Sequence, residues 1–378
     1  MLLMIPGPVN LHERVIRAMC RQMIGHRTED FSQILYFCYK NLKKVFGTKG
    51  DVFIISGSGT AGLEAAIASF SNVNKMLTIE NGKFGERLGE IASKYCNVHR
   101  IRYDWGKSIE LDDVENALSD GCDAVVFVHN ETSTGILNPA KQIAKIAEKY
   151  NALVIMDAIT SAGGDYVKMD EWGIHVTIAG SQKCIGAPPG LAFVAVSDEA
   201  WSFYNSKCPY YLDLASYRKK LEDFQTPYTP AVPLFFALEE ALRIIEEEGL
   251  ENRIQRHRIL NSSIRKWALE AGLELFPQLN RYSSYSNTIT AIKIPKKISD
   301  RELRGSLKDE YGILVSGGQG KLKGKIFRIG AMGNIGKSEV LLTLAAIEEI
   351  LLRKNLIKPA IHVAQIALRD LATNSPIS

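Results

Sequence analysis

Between residues 52 and 156 the chain alternates short apolar runs with longer stretches in which apolar positions return every three or four residues. The runs at 52–55, 75–79, 98–101, 124–128 and 153–156 predict buried strands. The stretches at 60–70, 86–95, 111–118 and 139–150 predict the helices between them. Two more apolar runs, 176–178 and 191–196, read as further strands. Strands that alternate with helices of roughly 10 to 15 residues argue for a mostly parallel sheet covered on both faces. In such sheets ligands gather at the loops beyond the carboxyl ends of the strands.

Outside this region the pattern changes. Residues 1–14 read as an extended arm, because Pro6 and Pro8 block a helix and Asn10 offers a turn. Helical spacing returns at 13–23 and 28–45, on either side of Gly25-His26-Arg27, a break that sets two potential cations on one loop. The segment 207–233 is rich in Tyr and Pro, and its run Gln225-Thr226-Pro227-Tyr228-Thr229-Pro230 is not helical throughout. A helical stretch at 234–269, with a break expected at Gly249, leads to strands at 288–292 and 326–329 and helices at 300–311 and 337–352. The expected division is an arm at 1–14, a large domain at 15–245 and a smaller α+β domain at 246–378.

The polar residues beside the apolar runs carry the candidate chemistry. Lys183 sits on a turn, Ala179-Gly180-Ser181-Gln182-Lys183, between two buried runs with little surface to escape to. Asp157 closes another such run. A solvated surface charge is the ordinary reading of one lysine. A lysine for covalent attachment and an acid for a pyridinium nitrogen are together what pyridoxal phosphate requires of a protein. The loop Ser56-Gly57-Ser58-Gly59-Thr60 offers small residues and hydroxyls ahead of a helix N-terminus, which suits a phosphate but equally an ordinary capped turn. It is neither a Walker loop nor a full dinucleotide pattern. In Asn81-Gly82-Lys83-Phe84-Gly85-Glu86-Arg87 the aromatic either lies against a ring or anchors the core. His129 opens a polar cluster at 129–135, where a lone histidine without metal-ligand spacing reads as structural. Arg328 interrupts the apolar run 326–329, and a buried arginine needs an anionic partner, from the protein or from a ligand.

Composition narrows the function classes. With 378 residues and 46% hydrophobic content the chain has material for two cores. Its 46 basic and 42 acidic residues are interspersed and leave a net charge of +4, with no basic block of the kind that binds nucleic acid. No run approaches the length of a membrane span, and the apolar start is too short for a signal peptide. Six cysteines without CxxC or metal spacing suggest reduced thiols in a cytoplasmic protein that binds no metal.

Taken together, these residues resemble the class V aminotransferases of pyridoxal-phosphate fold type I, and especially the alanine–glyoxylate/serine–pyruvate group. The resemblance runs nearly end to end. It covers Pro6-Gly7-Pro8 with Asn10, SGSGT at 56–60, NGKFGER at 81–87 and ETSTG at 131–135. It continues through MDAITSAGG at 156–164, GSQKCIGAPPG at 180–190, TPYTPAV at 226–232 and FRIG at 327–330. The fold it implies is α/β, with a large mostly parallel sheet domain and a smaller C-terminal α+β domain. The cofactor it implies is pyridoxal 5′-phosphate, attached to Lys183 with Asp157 on the ring nitrogen. Ser58, Gly59, Thr60 and Gln182 would bind the phosphate, Thr132 would touch the ring hydroxyl and Phe84 would stack on the ring. Family members more often carry Trp or Tyr at the position of Phe84. Thr226 and Thr229 belong to the segment that reaches the cofactor from a partner subunit, so a homodimer with composite sites is expected. Arg328 would clamp the substrate carboxylate, near Asn10.

The activity so implied is ping-pong transfer of an amino group from a small amino acid, alanine or serine, to a 2-oxo acid, glyoxylate or pyruvate. A transaminase for a doubly anionic donor (aspartate, phosphoserine or aminoethylphosphonate) would need further cations, for which His26 and Arg27 are the candidates. A desulfurase of the same fold would need a nucleophilic cysteine near Arg328, and no cysteine follows Cys208.

Overall fold

The computed structural model describes residues 1–369 and 371. In chain order the strands are β1 (Leu2–Met4), β2 (Asp51–Ser56), β3 (Met76–Glu80), β4 (Val98–Arg102), β5 (Ala124–Val128), β6 (Asn130–Glu131) and β7 (Ile136–Leu137). They continue with β8 (Leu153–Asp157), β9 (Val176–Gly180), β10 (Leu191–Val196), β11 (Ser284–Tyr285), β12 (Ile289–Lys293), β13 (Ile313–Gly317) and β14 (Ile326–Gly330). Seven of them form one sheet in the order β2-β10-β9-β8-β5-β3-β4. From β9 through β8, β5 and β3 to β4 the pairing is parallel, while β10 runs antiparallel to both β9 and β2.

Successive residues of these strands feed opposite faces, as the pleat requires. Val125 and Phe127 enter one apolar cluster, Ala124 and Val126 the other. Because both faces are covered, the strands read as unbroken apolar runs, and each fully buried Val, Ile or Phe stabilises the fold by about 1.5–3 kcal/mol. Helices Glu29–Phe46 and Val232–Glu248 cover one face, where the rings of Phe31 and Phe235 meet at 5.2 Å. Helix Gly59–Ser69 covers the other, so closely that a Cβ on Gly62 would stand 3.0 Å from Ala192 Cβ.

A second sheet, β1-β13-β14-β12, carries its own core of Met4, Trp267, Phe327, Ile329 and Leu344. Helices Leu250–Glu270, Asp300–Tyr311 and Lys337–Leu352 pack on it. The expected break at Gly249 is present, at a φ of 80° that favours glycine. Of the small domain expected at 246–378, residues 370 and 372–378 lie outside the described residues. Among the described residues no helix is long and apolar enough to cross a membrane.

Several elements differ from the expectation. The helix expected at 13–23 is Glu13–Ala18: the chain turns at Met19 and Cys20, and Met23, 58% exposed, has no core to meet. The arm is not merely extended, since Leu2–Met4 pairs in parallel with Ile313–Val315 and buries Met4. The segment 207–233 contains a helix, Leu214–Leu221, capped by Asp213 Oδ1, which accepts from Ala215 N at 3.0 Å. The helix expected at 86–95 begins earlier, at Lys83, and ends at Ala92. Its cap comes from far along the chain: the Glu131 carboxylate accepts from the amides of Phe84 (3.1 Å) and Gly85 (2.9 Å).

Candidate active site

Loops after β2, β3, β5, β8 and β9 converge on one cleft. It is lined by Ser58, Gly59, Thr60, Phe84, Arg87, Asn130, Thr132, Asp157, Thr160, Gln182 and Lys183, with Val128 and Ile159 supplying apolar walls. Their shared position at the carboxyl ends of the strands follows from the parallel pairing.

The turn that presents Lys183 is held from within. Ser181 N donates to Leu191 O at 3.0 Å and Ala187 N to Ser181 O at 3.0 Å, while Ser181 Oγ donates to Pro188 O at 2.5 Å. The N-terminal arm then crosses over it. Lys183 Nζ donates to Pro6 O, and Val9 N donates to Gln182 O at 3.2 Å. At Gly7, whose φ is 93°, a Cβ would lie 2.6 Å from Lys183 Cδ. Burial pulls the Lys183 ammonium down to about 8; the Asp157 charge resists this, and Arg328 and Arg87 add to it.

Asp157 is buried at the end of β8. Its Oδ1 accepts from Ile159 N at 2.8 Å. Burial pushes its carboxyl up to about 7; the Ile159 amide opposes the shift, the Glu131 charge adds to it, and Arg87 and Lys183 oppose it. The carboxylate is thus short of positive charge.

Also lining the cleft, Thr132 Oγ1 and Thr160 Oγ1 share a hydrogen bond of 2.8 Å, and Asn130 Nδ2 donates to Thr160 Oγ1 at 3.0 Å. Two buried acceptors, Asn130 Oδ1 and Gln182 Oε1, have no hydrogen-bond partner among the described residues. A buried acceptor left unpaired costs about 1–3 kcal/mol, so both mark places where a donor of a bound molecule fits.

Arg328 is buried, 2% exposed, and projects from β14. Its partners are carbonyls: Nε and Nη2 donate to Gly317 O at 3.1 and 2.9 Å, and Nη1 to Thr132 O at 2.9 Å. One N–H on each terminal nitrogen is left over, a fork that matches a planar carboxylate. The nearby Arg304 is neutralised, with Asp300 accepting from its Nε and Nη2 at 2.8 and 2.6 Å.

The structure does not bring every expected residue here. Asn10 stays with the arm, its Oδ1 accepting from Leu3 N at 3.3 Å and its Nδ2 donating to Leu3 O at 3.0 Å. Thr226 is buried elsewhere and donates to Tyr228 O at 2.7 Å; Thr229 is exposed. Neither lines this cleft. Arg27 binds the same segment, donating to Gln225 Oε1 at 3.1 Å and Thr226 O at 2.5 Å. His129 lies off the cleft against Ser161 Oγ at 3.0 Å and the Trp172 ring, and burial lowers its imidazole to about 4, which keeps it neutral.

Arg87, Asn130 and Thr160 were not foreseen. For Arg87 the signal was its i,i+3 spacing from Phe84, which becomes informative once the helix starts at Lys83. Asn130 and Thr160 are polar residues just past strand ends, a signal too common to single them out.

Comparison with known proteins agrees with this geometry. The family profile described as aminotransferase class-V matches residues 11–327. An uncharacterized aminotransferase of Methanocaldococcus jannaschii is 45% identical, over 92% of this chain and 91% of that one. A soluble hydrogenase small subunit of Synechococcus is 39% identical over 93% and 92%. A serine–glyoxylate aminotransferase of Methylorubrum extorquens is 32% identical over 92% and 90%. The crystal structure of ureidoglycine–glyoxylate aminotransferase from Bacillus subtilis superposes with a TM-score of 0.90 at 32% identity, covering 97% of this chain and 98% of that one.

Proposed function

The chain belongs to the class V aminotransferases, and from that premise we propose that it is a pyridoxal-phosphate enzyme moving an amino group from a small amino acid, alanine or serine, to glyoxylate or pyruvate. The observation that carries this reading is the meeting of Lys183 and Asp157 in one cleft. The hydrogenase name of the Synechococcus relative gives that pair no task; aminotransfer gives each one.

The residues present fit the cofactor. The side-chain amide nitrogen of Gln182, the hydroxyls of Ser58 and Thr60 and the first amides of helix Gly59–Ser69 form a donor-rich end suited to holding a phosphate ester. A Cβ on Gly59 would stand 2.7 Å from Ile159 Cδ1, so a larger residue there would have to displace the Ile159 side chain that walls the cleft. Phe84 supplies a ring face, Thr132 a hydroxyl for the ring oxygen, and Asp157 a charge for a protonated ring nitrogen. When bound, the cofactor supplies a sink for the electron pair left as the donor's Cα–H bond breaks.

The remaining work falls to the chain. Asp157, raised to about 7 by burial, regains its full negative charge beside a cationic N–H and so keeps that proton in place. Lys183, lowered to about 8, is neutral in about one-tenth of molecules at pH 7 and in about half of them near pH 8, and its neutral Nζ is a base for the Cα proton. Arg328 orients the donor by its carboxylate and thereby sets which Cα bond faces the lysine. Thr226 and Thr229 reach the phosphate from a second copy of the chain in a homodimer.

Glyoxylate as acceptor is supported by the names of the Methylorubrum and Bacillus relatives. A small donor is supported by the neutralised Arg304 and by Arg27 being engaged at 225–227, which leave no free second cation beside Arg328 from those two residues. The test is kcat/KM for alanine and serine against aspartate, glutamate and phosphoserine, with glyoxylate and pyruvate as acceptors. Preference for a doubly anionic donor overturns the small-donor reading and leaves aminotransfer intact.

A further inference from the structure

Arg87 lines the cleft beside Phe84 with no task yet assigned. The two stand three residues apart on helix Lys83–Ala92 and so share a face. The guanidinium carbon lies 5.0 Å from the Phe84 ring centroid. Among the described residues its side chain makes one hydrogen bond, from Nη1 to Thr60 Oγ1 at 3.4 Å. Thr60 belongs to the loop read as the phosphate seat, and Phe84 is the ring read as the stacking platform. Arg87 is therefore the link between the two ends of the cofactor's bed.

We propose that Arg87 is a positioning residue: its guanidinium packs on the Phe84 ring and ties it to Thr60, fixing the stacking platform relative to the phosphate loop. A phenylalanine has no polar edge with which to anchor itself, so its tilt is set by what packs against it. A planar cation over the ring face holds that tilt through the ring quadrupole while its fork reaches sideways to a hydroxyl. A lysine ammonium, compact and strongly hydrated, does not do both. The N-cap supplied by Glu131 fixes the backbone of the same turn, so the side-chain pair completes a platform already rigid at its base.

The inference rests on the cleft holding pyridoxal phosphate, and the experiment separates the two claims. Wild type, Arg87→Met, Arg87→Lys, Phe84→Ala and Phe84→Ala/Arg87→Met are prepared without cofactor, and thermal melts establish that each is folded; Arg87→Gln replaces Arg87→Met if the latter is not. Dissociation constants for pyridoxal phosphate and for pyridoxal are measured by equilibrium dialysis, and visible circular dichroism reads the orientation of the bound chromophore. Failure of the wild type to bind either compound overturns the cofactor reading itself. With wild-type binding intact, Arg87→Met is expected to weaken both compounds alike, by roughly 3- to 30-fold, and to reduce the dichroic band. Arg87→Lys is expected to recover little of either, and the double variant to bind no more weakly than Phe84→Ala alone. Additive losses in the double variant, or unchanged binding in Arg87→Met, overturn the proposal. So does a loss confined to pyridoxal phosphate, which would make Arg87 a direct phosphate ligand.

Discussion

Lys183 Nζ donates its hydrogen bond to the carbonyl of Pro6, a residue 177 positions earlier in the chain. The arm that brings Pro6 there is anchored at one end by β1 in the small sheet and at the other by Val9 N on Gln182 O. The reactive amine is therefore held from both sides: the turn after β9 presents it, and the arm covers it. Gly7 makes the covering possible, because a Cβ there would stand 2.6 Å from Lys183 Cδ and 2.9 Å from Gln182 O.

Gly7→Ala should accordingly leave the core folded but dislodge the arm from Lys183. Strain at a positive φ and the clash together predict a loss of about 1–3 kcal/mol, localised to the arm. The expected result is weaker cofactor retention and a drop in turnover of at least ~10-fold, with proteolysis detecting a loosened N-terminus. Lys183→Ala is the companion control and should abolish covalent attachment of the cofactor. Borohydride labelling of any other lysine would remove Lys183 from its role.

Asp157 predicts a pH effect with a definite sign. Its folded carboxyl is raised to about 7 from an ordinary 3.8, so between those values the folded chain without cofactor holds a proton that the unfolded chain has lost. Stability from this group is present below about 4 and falls as pH rises through about 7. Asp157→Asn should remove that part of the pH dependence, on the order of 3 kcal/mol between pH 4 and 8, in denaturant titrations of the cofactor-free protein. In the loaded enzyme the same substitution should cost at least ~10²-fold in turnover, as for other groups that position charge. Parallel stability profiles for the two proteins would show that Asp157 does not titrate as described.

Most of the fold was legible because both faces of the large sheet are covered, which turns its strands into plain apolar runs ending in polar residues. Asp157 and Lys183 stand out in the sequence for that reason. The start of the helix at Lys83 was not legible, because its cap is the carboxylate of Glu131, far along the chain and unrelated by any local spacing. Arg87 was hidden with it. β1 was missed because three residues beside two prolines carry no period, and its partner β13 lies at the far end of the chain. Asn10 and Arg27 look chemical in the sequence because they are polar residues near breaks; their donors instead serve Leu3 and the 225–227 carbonyls. No single-chain signal separates an amide that staples a loop from one that meets a substrate.

Thr229 is exposed, and near it Tyr210 is 82% exposed beside Tyr228, the ring centroids 5.5 Å apart. An aromatic surface of this kind next to a residue read as a cofactor contact predicts a homodimer whose sites are shared. Light scattering should give twice the chain mass. Thr229→Ala should weaken pyridoxal-phosphate binding by roughly 3- to 10-fold, the loss of about one hydrogen bond, without changing the melting of the cofactor-free protein. A fully active monomer would sink the composite site.

Arg328 provides the last prediction, on substrate selection. Gly317 O and Thr132 O hold the guanidinium in place, so the two remaining N–H groups point as one rigid fork, and burial has removed the water that would compete for them. The charge survives this burial: desolvation lowers the group only to about 10, with the Glu131 charge opposing the shift. Arg328→Lys keeps a cation but has neither the fork nor the reach to satisfy both carbonyls, so Gly317 O and Thr132 O lose donors as well. Each charge-assisted hydrogen bond lost costs about 1.5–3 kcal/mol, which predicts a fall in kcat/KM of roughly 10- to 10²-fold. Because every amino donor and every oxo acid carries the same α-carboxylate, the fall should be nearly uniform across alanine, serine, glyoxylate and pyruvate. The binding of pyridoxal phosphate should weaken far less than kcat/KM falls, since Arg328 lies outside the residues that line its bed and touches it only through the Thr132 carbonyl. Selective loss of one substrate would place Arg328 on a side chain instead of the shared carboxylate, and a loss of cofactor binding as large as the fall in kcat/KM would place it in the bed itself.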